Sequence, residues 1–362
     1  MMRTAVRWTI PAAVATAVIG GSLAWPSLAG AAPDLAPTTA ADLMADVAGS
    51  QAQALSGTVE QTTDIGLPQL PSGAAGQDPA SLTALLGGTT TARVWSDGAE
   101  RSRIAVLGSL AETDVVRNGA DMWTWRSGTG TVTHAVVPSG RPAAAAPGQP
   151  QLTPAQAADQ ALAAVGPTTQ VTLGSPATVA GRQARTLVLE PKDAASLIGR
   201  VVIAVDAATA MPLQVQVFSR GSAEPAVQTG FTSVSFGAPA ASEVAPALPL
   251  GSAVEEVTPQ ALQAQAGTVP QPTVVGSGWT SVAVLRAAGA QLGSAPSGAA
   301  GAADPTALLK AMSVPVSGAY GSGRLITSSV FSALVLDDGR VLVGAVPAPE
   351  LERAAMDAAA QP

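Results

Sequence analysis

Between residues 89 and 137 short β-branched runs alternate with tight turn signals at near-regular spacing, and this pattern constrains the fold more than anything else in the chain. Asp97-Gly98 separates 89–96 from 101–107, Asn118-Gly119 separates 112–118 from 121–127, and Gly128-Thr129-Gly130 leads into 131–137. Asp-Gly and Asn-Gly supply the positive φ angles that tight hairpins need, so successive strands should pair antiparallel. Parallel pairing would need crossovers of a dozen or more residues, and there is no room for them. Strands resume at 185–190, 200–206, 212–219 and 230–237, with residues 206–211 turning between two of them.

Alternation sets the faces. Leu213, Val215 and Val217 point one way and Gln214 and Gln216 the other, while Ile104 and Val106 oppose Arg101 and Arg103. Trp123 and Trp125 share a face, with Trp95 as their cross-strand companion. A sheet with one dry side must be covered. Thr39 and Asp42 form a capping-box start, followed by a stripe of Leu43, Met44, Val47, Ala48 and Leu55 that Gly57 ends; a strand over 58–63 follows. Residues 67–88 form a Pro/Gly/Ser/Ala-rich insertion containing the short amphipathic run 81–86, and 138–150 is a linker. Thr153-Pro154 opens a second helix, which Gly166-Pro167 stops. The fold class expected is therefore α+β: a curved antiparallel sheet whose concave side is closed by helices.

Composition narrows function. With Cys 0 and His 1 there is no disulfide, thiol nucleophile or Cys/His zinc site. No Gly-x-Ser-x-Gly elbow or phosphate-binding Gly-Lys-Ser/Thr occurs, and the glycine-rich 318–323 precedes a strand instead of opening a helix. His134 lacks a second ligating residue and reads as structural; Glu255-Glu256 and Asp337-Asp338 read as solvated linker and turn acids. These features predict no enzyme, no cofactor and no metal. The formal charge of −7 becomes more negative without Arg3 and Arg7, and Lys192 and Lys310 are the only lysines, so nucleic acid is not a partner. Residues 1–31 read as an export signal: Arg3 and Arg7 precede an uncharged run from 8 to 25, and Ala29 and Ala31 stand at a cleavage site. Pro11 and Pro26 disfavour the alternative, a retained anchor helix. With no Cys after the apolar run, lipid attachment by the lipoprotein route is excluded, and the expected location is the periplasm, the cell envelope or the medium.

Asp206-x-x-Thr209-x-x-Pro212-Leu213, followed by Phe231-x-x-Val234-x-Phe236-Gly237-x-Pro239, resembles the runs that end LolA/LolB-like domains. That superfamily includes periplasmic lipoprotein carriers, mycobacterial lipid-binding lipoproteins and the N-terminal domain of RseB/MucB, and Val94-Trp95-Ser96-Asp97-Gly98 fits its actinobacterial members. The resemblance implies an open half-barrel over 38–237 that holds lipid or lipoprotein acyl chains between sheet and helices. Its ligand-facing residues would be Trp95, Ile104, Val106, Trp123, Trp125, Leu187, Leu189, Leu213, Val215, Val217 and Phe231. From composition alone the same side chains read first as a solid core, since buried apolar residues usually are core, and only the resemblance brings a ligand site level with it. A Pro/Ala-rich linker, 238–272, with a helical turn at 259–265, leads to a small α/β region over 273–360. There, strands at 273–285, 324–336 and 340–346 accompany helices at 305–312 and 349–359. Two domains in this order are also the plan of RseB/MucB, which implies an alternative role: regulation by docking on a membrane-bound anti-sigma factor.

Overall fold

The computed structural model of the protein describes residues 35–50, 54–67, 79–80, 87–98, 100–136, 153–163, 165–246, 252–258, 272–286 and 310–359. The export-signal reading (1–31), the run 81–86, the linker 138–150 and the helical turn at 259–265 lie outside these residues.

The turn signals place the strands as expected. After helix α1 (Ala40–Gly49) come β1 (Leu55–Thr63), β2 (Gly88–Ser96), β3 (Arg101–Leu107), β4 (Glu112–Asn118), β5 (Asp121–Arg126) and β6 (Thr131–Val136). Next are helix α2 (Pro154–Ala163), β7 (Thr169–Leu173), β8 (Ala177–Val179), β9 (Arg182–Pro191), β10 (Ile198–Asp206), β11 (Pro212–Ser219), β12 (Pro225–Phe236) and β13 (Val254–Val257). All belong to one 13-stranded sheet of order β13-β6-β5-β4-β3-β2-β1-β12-β11-β10-β9-β7, with β8 paired to β9. Every pairing is antiparallel except that of β13 with β6. The register of β1 on β12 slips between Thr58 and Val59, and that of β10 on β11 slips between Ala204 and Val205. Such irregularities increase the local bend and twist of a wide sheet.

Both helices start where their caps predict. Thr39 Oγ1 accepts the Asp42 N–H, and the Asp42 carboxylate accepts from the Thr39 N–H in return; Thr153 and Gln156 make the same reciprocal pair at α2. The first helix is shorter than expected. It ends at Gly49, where the Ser50 N–H and hydroxyl both donate to the Val47 carbonyl. Leu55 belongs to β1, 3% exposed and opposite Phe236, because a nine-residue strand paired on both sides outcompetes another turn of helix. The linker expectation also needs correcting, since Glu255 and Glu256 lie in β13.

Among the described residues the C-terminal region is an antiparallel six-stranded sheet with the helix Ala348–Ala359 beside it, where an α/β unit was expected; of the expected helix at 305–312 only 310–312 are described, and they are helical. Its strands are β14 (Thr273–Val275), β15 (Val282–Arg286), β16 (Val314–Gly318), β17 (Gly321–Thr327), β18 (Ser332–Leu336) and β19 (Arg340–Gly344), in the order β14-β15-β19-β18-β17-β16, and α3 (Ala348–Ala359) packs on it. The run 273–285 breaks at a 3-10 turn, Gly278–Thr280, and 324–336 is two strands; hairpins this tight permit only antiparallel pairing. Leu334, Leu342 and Leu351, each 0% exposed, form its core, and each such burial contributes roughly 1.5–3 kcal/mol. Arg340 ties helix to sheet by donating to the carbonyls of Ala355 (2.7 Å) and Tyr320 (2.9 Å) and to the Asp338 carboxylate (2.7 Å). Asp338 is thus one end of an ion pair, not merely a solvated turn acid.

Hydrogen bonds between described residues join the two sheets. The Leu197 N–H donates to Ala345 O, the Ser329 N–H donates to Ile65 O, and the Trp279 indole N–H donates to Thr169 Oγ1 at 2.8 Å.

Candidate functional site

The helices cover one end of the large sheet. Leu43 and Val47 of α1 and Ala158 of α2 close over Leu187, Leu189, Val201, Ile203, Val205 and Val215 of β9, β10 and β11. Met44, Leu162, Val165, Val171, Val217 and Trp279 form a half-buried rim. Helix α2 joins this layer through Ala157, Ala158, Ala161 and Leu162. Leu187, Leu189 and Ile203 are 0% exposed, so the layer is shut as it stands.

The eleven residues singled out from sequence do not share one surface. Leu187, Leu189, Val215 and Val217 lie in the helix-covered layer. Leu213, Phe231 and Ile104 join a neighbouring cluster around Leu55, Val59 and Val94, and Val106 packs with Ile104 and Ala80. Trp95, Trp123 and Trp125 are elsewhere. In the register, Val94 faces Ile104 whereas Trp95 faces Arg103, which faces Val116, which faces Trp123; Trp125 faces Asp114. Adjacent positions on a strand point to opposite sides, so the three tryptophans occupy the sheet surface opposite Ile104 and Val106.

That opposite surface mixes charged groups and rings with the buried Ala105, Val116 and Val132. The Arg103 guanidinium lies 5.2 Å from the Trp95 ring and donates to Asp114 at 2.6 Å, with Glu112 at 3.9 Å. Asp114 is 3% exposed and its Oδ1 has no partner. Burial and the neighbouring Asp114 carboxylate raise the Glu112 pKa against the pull of Arg103 and Arg93. Further along the row, Trp123 stacks on His134 at 4.0 Å. His134 is held between Asp121 and Glu256, so it is not the isolated side chain its sequence context predicts.

Sequence reasoning missed two other positions. Asp206, 2% exposed, accepts both N–H groups of Ala208 and Thr209, the Thr209 hydroxyl, and the Arg182 guanidinium through Nε and Nη2. Burial alone would raise its pKa, but these donors hold it below the usual carboxylate value. The Asp-x-x-Thr run that carries the resemblance is therefore a turn clamp, and its signal was legible as an Asx turn. Trp279 reaches across from the second sheet, and nothing local in its sequence marks that contact. A separate open cleft of about 440 Å³ lies beside β16 and α3, lined by Val316, Tyr320, Glu352 and Met356 among others. Among the described residues no cluster of three or more acidic or imidazole side chains could hold a metal ion, and no helix is long and apolar enough to cross a membrane.

The MucB/RseB N-terminal domain family matches residues 89–249, from β2 past the end of β12. These residues are thus similar to a MucB/RseB N-terminal domain. No curated protein matches the sequence. Among solved structures, the Pseudomonas aeruginosa MucA/MucB complex is 18% identical, covering 87% of this chain and 96% of that chain at a TM-score of 0.44. A crystal structure of MucB is 20% identical, covering 88% and 96% at 0.42. A LolA superfamily protein from Nitrosomonas europaea is 11% identical, covering 58% and 99% at 0.23. At these scores the structural likeness carries no argument.

Proposed function

We propose that the protein is a non-enzymatic, exported binding protein of the MucB/RseB kind that docks on the extracytoplasmic part of a membrane-bound anti-sigma factor. The observation that carries this reading is the family match over 89–249, which falls on the MucB/RseB branch of LolA-like folds. A second sheet following the large one agrees with it. The test is a pull-down from envelope extract with the full chain. One stoichiometric membrane-protein partner with a cytoplasmic sigma-binding region is expected; recovery of lipid with no such partner would refute regulation.

A second reading is carriage of lipid or lipoprotein acyl chains, favoured by the apolar layer in which Leu187, Leu189 and Val215 cluster with Leu43 and Val47 of α1 and the alanines of α2. Delipidated protein should then bind a fluorescent fatty acid saturably. Val217→Asp, at the half-buried rim, should weaken binding about tenfold or more, because a carboxylate would have to be desolvated beside the chain. Trp123→Ala, on the other side of the sheet, should leave it unchanged. Absence of any acyl-probe binding would remove this reading.

A further inference from the structure

We propose that His134 is a proton-operated clasp: its imidazolium holds β13, and with it the connection between the two sheets, on the edge of the large sheet, and its deprotonation releases that strand. The geometry requires two donors. His134 Nδ1 lies 2.7 Å from Glu256 Oε2 and Nε2 lies 2.9 Å from Asp121 Oδ1, and ionised carboxylates only accept. A neutral ring has one N–H and one lone pair, so one of the two contacts would set lone pair against lone pair. Trp123 completes the clasp by stacking on the ring at 4.0 Å and 21°, an arrangement that favours a cationic partner.

The groups facing the ring are therefore Asp121 and Trp123 from β5 and Glu256 from β13. Glu255, opposite Thr133 in the register, lies on the other side of the strand. Burial disfavours the charged ring, but the bonds and charges of Glu256 and Asp121 outweigh it and raise the His134 pKa above its ordinary value. A group with a raised folded-state pKa contributes stability that is present at low pH and lost as pH rises through that pKa.

Strand β13 is where this contribution is spent. Asp121 is anchored in β5, between two paired neighbours, whereas β13 has four residues, pairs among the described residues with β6 alone, and leaves Val254 41% exposed. When one carboxylate contact must go, Glu256 is the mobile partner. Release frees the connection between β12 and β14 and bares the N–H and C=O groups along the edge of β6, which a further strand can use.

The chain has a single histidine, so its imidazole nitrogen resonances follow the titration of the full-length protein without ambiguity. We expect a midpoint above 6.5, and a loss of amide-exchange protection over residues 254–257 across the same midpoint once intrinsic rates are corrected. Linkage makes that loss about tenfold for each pH unit by which the midpoint is displaced. Glu256→Gln should bring the midpoint down and abolish the step in protection. Asp121→Asn should lower the midpoint while β13 stays protected at low pH. An ordinary or lower midpoint in the native chain, equal protection of 254–257 on both sides of it, or a step that survives Glu256→Gln would each overturn the clasp.

Discussion

Asp206→Ala is the change that best separates a motif that builds the fold from one that binds a ligand. The carboxylate is 2% exposed and takes the Arg182 guanidinium, two backbone N–H groups and the Thr209 hydroxyl. Truncation leaves Arg182, whose side chain is 31% exposed, without its counter-charge and strips three donors of their acceptor. Breaking a buried ion pair typically costs about 3–5 kcal/mol, and the partial exposure of Arg182 places this case near 3. Asp206→Asn keeps an oxygen for the Ala208 and Thr209 donors but loses the charge and sets its amide NH2 against the Arg182 Nε–H, so it should cost about 1–3 kcal/mol. The assay is urea unfolding of both variants at pH 7, read by tryptophan emission and far-ultraviolet circular dichroism. Because the Asp206 pKa is lowered on folding, its contribution is present above the unfolded carboxylate value and disappears as pH falls through the folded one. The difference between native and Asn proteins should therefore shrink below about pH 4. Equal stability of Asp206→Ala and the native chain, or folded Asp206→Asn protein that has lost acyl-probe binding, would refute the structural reading of the motif.

Ala210 sits at φ 58°, a conformation that disfavours a Cβ, so Ala210→Gly should be neutral or stabilise by up to about 1 kcal/mol, seen as a Tm rise of a few degrees. Gly278 has φ 63° and a Cβ there would stand 2.5 Å from Thr168 Oγ1; Gly278→Ala should loosen contact between the sheets, detected by limited proteolysis, and Thr168→Ala should restore it only in part because the backbone strain stays. Trp279→Ala removes the indole donor to Thr169 and its packing on the helix-covered layer, and should weaken docking of the second sheet by about 2 kcal/mol while each sheet keeps its own core, measured by small-angle scattering and hydrogen exchange.

The hairpins between 89 and 136 were legible because Asp-Gly and Asn-Gly have few conformational alternatives, and the turns at Gly98 and Gly119 do adopt φ 79° and 63°. Both helix starts were legible because a capping box is satisfied within four residues. Alternation also told which residues of one strand share a side. It did not relate one strand to the next, and Trp95, Trp123 and Trp125 were grouped with Ile104 and Val106 until the register separated them.

Local chemistry along the chain thus determined the antiparallel character of the large sheet, the caps and the Asp206 turn, since each is decided by atoms a few residues apart. Tertiary structure alone decided which apolar residues α1 and α2 cover, that β13 joins β6 in parallel, and that Glu256 meets His134 and Trp279 meets Thr169. Those contacts join positions 122 and 110 residues apart, and no nearest-neighbour preference records a partner that far away.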